Sequence, residues 1–230
     1  MSSNLFGQMK AQIDVGLIDG INFSHRFTQV IDRYNSSRPW ITDELRSPTN
    51  HFGFTFGLGI LSENEVFSLG LNFSYMAYRS KSKDNDFFGN AYVRKVRSSI
   101  YQLDIFDTKL NFIHTDKLRI GVGGVLCSIS MYRVSTRLND DDWIFATKPG
   151  AASLSTKNIF AVGFKPNFNI EYDLNDKYYM RFNLFYQFNY TGKINYYTIQ
   201  KALNPSTVYL QTLTEIPSYW GFKLTIGITE

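Results

Sequence analysis

Strict alternation of apolar and polar side chains over ten or more residues leaves a chain few ways to fold. A β-strand turns successive side chains to opposite faces, and a helix does not. Phe52, Phe54, Phe56, Leu58 and Ile60 alternate with His51, Gly53, Thr55, Gly57 and Gly59. Phe67, Leu69, Leu71, Phe73 and Tyr75 do so with Ser68, Gly70, Asn72 and Ser74. A third run, from Phe160 to Tyr172, sets Ala161, Gly163, Lys165, Asn167, Asn169 and Glu171 between apolar residues. Met180–Phe188 and Trp220–Ile228 repeat the pattern. Three weaker segments start at Ala11, Tyr101 and Leu118. In the second of these the phase slips after Ile105 to Leu110 and Phe112, the mark of a β-bulge. No amphipathic helix of three turns is expected anywhere, so the reading is eight strands.

Short turns are expected near 61–65, 114–117 and 173–177, and long polar segments at 24–50, 79–98, 133–158 and 191–216. Long and short connections alternate strictly, so the long ones leave one end of an antiparallel up-and-down meander. Within 191–216, Asn195–Gln200 and Thr207–Leu213 are strand-like around Asn204-Pro205-Ser206, which predicts a projecting hairpin able to pair with a partner strand.

Eight such strands close with the apolar face either inward, as in a soluble lipocalin-like barrel for an apolar ligand, or outward into lipid. Volume decides. With 20 Phe and 15 Tyr, the apolar face would overfill an eight-stranded interior, which side chains barely fit. The other face is Gly, Ser, Asn, Thr and Gln with few charges, whereas a solvated face would be rich in Lys and Glu. The expected fold is therefore all-β, an eight-stranded transmembrane barrel with four long extracellular loops and three short periplasmic turns. Tyr75, Tyr101, Tyr172, Tyr178, Tyr190 and Trp220 fall near strand ends and suit interfacial girdles. Composition excludes a disordered chain. No apolar run reaches the roughly 18–20 residues of a membrane helix. A single Cys127 excludes a disulfide framework and a Cys-rich zinc site.

This pattern resembles the small eight-stranded outer-membrane barrels of the OmpA/OmpX type. Its Gly/aromatic texture and Phe6-Gly7-Gln8 are similar to the β-barrel-domain proteins of Bacteroidota outer membranes. The resemblance implies a Gram-negative outer-membrane location and a single barrel domain over 10–229, with 1–9 as a disordered or signal-peptide remnant. One departure is the ending, Ile228-Thr229-Glu230, where such proteins often carry a terminal aromatic.

The charges divide by location. The four long segments hold 16 Lys+Arg against 9 Asp+Glu, and most of the excess lies in 79–98, with Arg79, Lys81, Lys83, Arg94, Lys95 and Arg97. This predicts a basic extracellular loop able to meet lipopolysaccharide phosphates or an acidic protein partner; no nucleic-acid partner is expected. Inward positions hold Arg119, Lys165, Arg181 and Lys223 against Asp14, Asp104 and Glu171, which should pair across the lumen.

Catalytic sets are missing from the sequence. The His-x-Ser-Asn arrangement of outer-membrane lipid-A deacylases does not occur, although His25 and His51 would share the outer rim with Ser24 or Asp43. Asp140-Asp141-Asp142 reads as a solvated loop tip, and Gly121-Val122-Gly123-Gly124 has no helix behind it to cradle phosphate. The expectation is a non-enzymatic barrel without cofactor or metal and with a plugged lumen, acting as a structural, adhesive or accessory subunit. A lipid-modifying enzyme is the alternative from another class.

Overall fold

The computed structural model describes residues 9–85, 88–147, 157–205 and 213–230. The expected leader remnant at 1–8 and most of the strand at 207–213 lie outside the described residues. Eight long strands run β1 (Met9–Ile21), β2 (Asn50–Ser62), β3 (Phe67–Asn85), β4 (Ala91–His114), β5 (Leu118–Leu138), β6 (Ile159–Asp173), β7 (Tyr178–Asn189) and β8 (Tyr219–Thr229). Each pairs antiparallel with its chain neighbours, and β8 pairs with β1, for example Ile226 opposite Val15, so the sheet closes on itself. A closed ring leaves no unpaired sheet edge. Glu65, with φ at +56°, helps form the tight turn between β2 and β3. The phase slip falls at Phe106, an extra residue with φ at +56° between Ile105 and Asp107. Pro166, which has no N–H to give, sits where the β6–β7 ladder jumps from Phe164 to Asn167.

The wall is uneven in height. β4 has 24 residues and β8 only 11, while crossing a bilayer takes roughly 9–11. This corrects the loop expected at 79–98: β3 continues to Asn85 and β4 starts at Ala91, with Arg79 opposite Arg97 and Lys81 opposite Lys95. The alternation never stopped there. Arg79, Lys81 and Lys83 carried the outward phase with charges in place of apolar side chains. Likewise β5 runs on through Arg133 to Leu138, and Ile144–Phe145 adds a short strand at its side.

Two helices among the described residues correct the all-strand reading. α1 (His25–Ser36) buries Phe27, Val30, Ile31 and Tyr34, the i, i+3, i+4, i+7 stripe of a one-sided helix. Ser24 caps it, accepting a hydrogen bond from Phe27 N at 3.1 Å. The Glu215 carboxylate lies at the same end and accepts from Arg26 N at 2.9 Å. α2 (Tyr197–Leu203) replaces the strand expected at Asn195–Gln200; only Ile194–Asn195 pairs, with Thr214–Glu215. Arg38 and Arg94 hold its C-terminal end, donating to Leu203 O at 2.6 Å and Ala202 O at 3.1 Å.

Both helices pack over the long-loop end of the barrel. Phe27, Ile31, Tyr34, Ile199 and Leu203 form one buried cluster with inward-facing Tyr78, Ile100, Tyr132 and Tyr219. The inward face is therefore not uniformly small and polar, although Ser80, Ser82 and Ser98 stay buried at the upper end. Near the long loops it is an aromatic core, with Phe27 stacked on Tyr196 at 5.6 Å.

Candidate functional site

Inward positions toward the short turns carry the charges. Arg181 on β7 donates from Nη1 to Asp14 on β1 at 2.9 Å and from Nε to Glu171 on β6. Arg119 on β5 reaches the other Glu171 oxygen at 2.6 Å and also pairs with Asp173 and Glu65, so one carboxylate is shared by two guanidiniums. Lys165 pairs with Asp104, which also accepts from Ser128 Oγ at 2.8 Å. Lys223 stands 4.0 Å from Asp107. All seven lumen residues read from the alternation are buried. They form three groups, around Arg181–Arg119, Lys165 and Lys223. A charge out of water is costly unless a counter-charge meets it, and cross-strand pairing answers that cost. Gly57 makes room: a Cβ there would lie 2.6 Å from the Asp14 carboxylate oxygen.

Sequence reasoning missed Asp107 and Lys109. Asp107 accepts from Asn72 Nδ2 at 2.6 Å, and Lys109 is paired opposite Ser68 and Gly123. The signal was present, because outward Leu110 and Phe112 put 107 and 109 inside. Glu65 was missed because it lies in a turn. There burial pushes its carboxyl up, but the Lys10 ammonium at 2.7 Å and the charges of Arg119 and His114 outweigh that and hold it below its ordinary value near 4.5.

The outward face is a continuous apolar belt. Val15 is 56% exposed and Leu126 67%, and Phe52, Phe54, Phe56, Phe182 and Leu184 join them. Water does not tolerate so much contiguous apolar surface on a monomer. The soluble alternative needs this face inside, and it is outside. No described helix is long and apolar enough to cross a membrane. The strands do the crossing. This chain is a transmembrane β-barrel.

Toward the long loops Tyr75 packs on Tyr101 at 4.9 Å and on Phe54 at 5.5 Å, and Trp220 packs on Tyr186 at 4.7 Å, with Tyr190 exposed nearby. At the short-turn end Tyr172 and Tyr178 face out.

Above Tyr75 and Tyr101 the outer wall is basic. Arg79, Lys81, Lys83, Lys95 and Arg97 take outward positions on β3 and β4. Arg94 is the exception. It faces inward, is buried and serves α2, so it is not part of the basic surface. Arg133 and Arg137 on β5, absent from the sequence expectation, complete the wall: Arg137 pairs opposite Lys95 and Arg133 opposite Ser99. Trp143 lies against Arg97 at 3.8 Å and Arg137 at 5.0 Å.

The histidines stand apart in chemistry. His25 contacts Gln29 at 2.9 Å on α1, His51 is buried against Phe23 at 4.7 Å, and His114 faces Glu65 at 3.4 Å at the opposite end. Ser24 is occupied as a helix cap, and Asp43 is exposed. Asp140–Asp142 follow β5 as an exposed run.

No family model matches the chain, and no curated protein matches it. Among solved structures it is similar to Ail, the attachment invasion locus protein of Yersinia pestis, with 5% identity over 97% of this chain and 99% of that one and a TM-score of 0.47. It is similar to OprG of Pseudomonas aeruginosa with 11% identity, 99% of each chain covered and a TM-score of 0.44. Neisserial surface protein A gives 10%, 96% of each chain and 0.40.

Proposed function

We propose that this chain is a non-enzymatic barrel of a Gram-negative outer membrane, with its lumen plugged and its helix-covered end at the cell surface. It acts as a rigid anchor, a structural, adhesive or accessory subunit whose contacts are made by the long-loop end. The observation that carries the reading is the occupancy of the interior. Paired charges fill it toward the short turns, and the aromatic cluster under α1 and α2 fills it toward the long loops. An interior this narrow, occupied in this way, supports a closed lumen. The dispersal of its histidines favours this over a lipid-modifying enzyme. The Tyr and Trp residues at the two rims serve as its membrane anchors.

Purified protein reconstituted in planar bilayers tests the plug. It should give no stable conductance, and steady ohmic steps would replace the anchor with a channel. A mild-detergent pulldown from the native outer membrane tests the accessory role. A stoichiometric partner supports a subunit, and a barrel that comes away alone removes the accessory role. Ala substitution at His25 and His51 should leave lipid-A profiles unchanged.

A further inference from the structure

The basic wall carries an electrostatic strain that the described residues do little to relieve. Arg79 is directly opposite Arg97, Lys81 opposite Lys95, and Lys95 opposite Arg137. Strands lie about 4.8 Å apart, and like charges set directly across a pair destabilise a sheet. Among the described residues, the one ion pair these cations make is Arg137 with Asp140 at 4.0 Å, and Asp140 is 97% exposed. Asp84, on the same hairpin, is engaged elsewhere: it accepts from Thr42 N at 2.8 Å. Trp143 meanwhile stacks on Arg97 and Arg137 and restricts their guanidiniums. Lys157 and Arg133 each lie 5.2 Å from the Phe145 ring and extend the patch. Crowded cations, with Arg97 and Arg137 held against Trp143, suit an anionic ligand.

Position says which anion. Arg79 is four residues beyond Tyr75, and Arg97 four residues before Tyr101 on the paired strand. That is roughly 13 Å along the strand, or about 10 Å in height for a strand tilted by around 40°. The patch faces the same way as the apolar belt, so it meets the headgroup layer of the surrounding leaflet side-on. We infer that this wall binds the phosphorylated sugar headgroup of an outer-leaflet glycolipid, with the lipid's acyl chains lying against the belt below. The inference rests on the outer-membrane placement proposed above and names the chemistry of one contact.

The experiment uses the full chain, purified in neutral detergent and titrated with bisphosphorylated lipid A by native mass spectrometry and fluorescence. The wild type should bind about one lipid A per barrel, more weakly as salt rises. Arg79→Glu with Arg97→Glu should weaken binding by about tenfold or more. Lys177→Glu at the opposite rim should leave it unchanged. Trp143→Ala keeps every cation and should weaken binding by about two- to fivefold, the worth of lost cation–π contacts. A heat-dependent gel-mobility shift identifies barrels that remain closed, and only those are compared. Equal binding by the double variant overturns the inference, as does equal affinity for phosphatidylglycerol. Failure of any variant-free barrel to enter membranes would instead overturn the placement.

Discussion

Lys165 and Asp104 meet inside the barrel with side chains 1% and 0% exposed, so neither has water to fall back on. Deleting one partner strands the other. Asp104→Ala should destabilise the protein by about 3–5 kcal/mol, while Asp104→Leu with Lys165→Met should cost much less, because no orphan charge remains. Urea titrations in lipid vesicles followed by Trp fluorescence would compare them. Glu65 gives a pH test. Its folded pKa is depressed below 4.5, so its contribution is complete above the unfolded value and lost as pH falls through the folded one. The hydrogen-exchange protection factor of the Asn111 amide, bonded to Val66 O at 2.8 Å, should therefore fall as pH drops below 4.5 and through the folded value. In Glu65→Gln that protection should already be reduced at neutral pH and show no such step.

The elements divide into those that stand alone in the pattern and those that need a partner to make sense. Phe27→Ala should open the α1 packing at a cost of about 3–5 kcal/mol. Proteolysis should then cut within 25–47 while the barrel keeps its heat-dependent mobility shift. The barrel strands were legible because alternation is a property of each strand by itself, from Phe52–Ile60 to Trp220–Ile228. The stripe of α1 was legible in its spacing too. It consists of four residues among polar Thr28, Gln29, Asp32 and Arg33, and it has meaning only once a barrel mouth offers Tyr78 and Tyr132 to cover. In α2, Tyr197, Thr198 and Ile199 favour a strand locally, and packing against α1 and β5 overrode that preference. Parity located Asp14, Asp104 and Glu171 in the lumen. The same parity would have turned Arg94 inward, had 79–98 been read as strand.

At the scale of the molecule, the belt sets the energetics of insertion. Val15 is outward and mid-strand on β1, so Val15→Arg should cost about 2–4 kcal/mol in a folding equilibrium with vesicles. Lys10→Arg, at the end of the same strand, should cost almost nothing. The unequal wall has a consequence for how copies share a membrane. β3, β4 and β5 rise well above β1, β7 and β8, and the basic residues stand on that raised side, so the protein has a front and a back in the membrane plane. It is free to spin about its axis, yet it offers each bearing a different face. In a crowded leaflet two copies cannot meet front to front without pressing like charges together, unless anions come between them. The low backs formed by β1, β7 and β8 set no such cationic wall between neighbours.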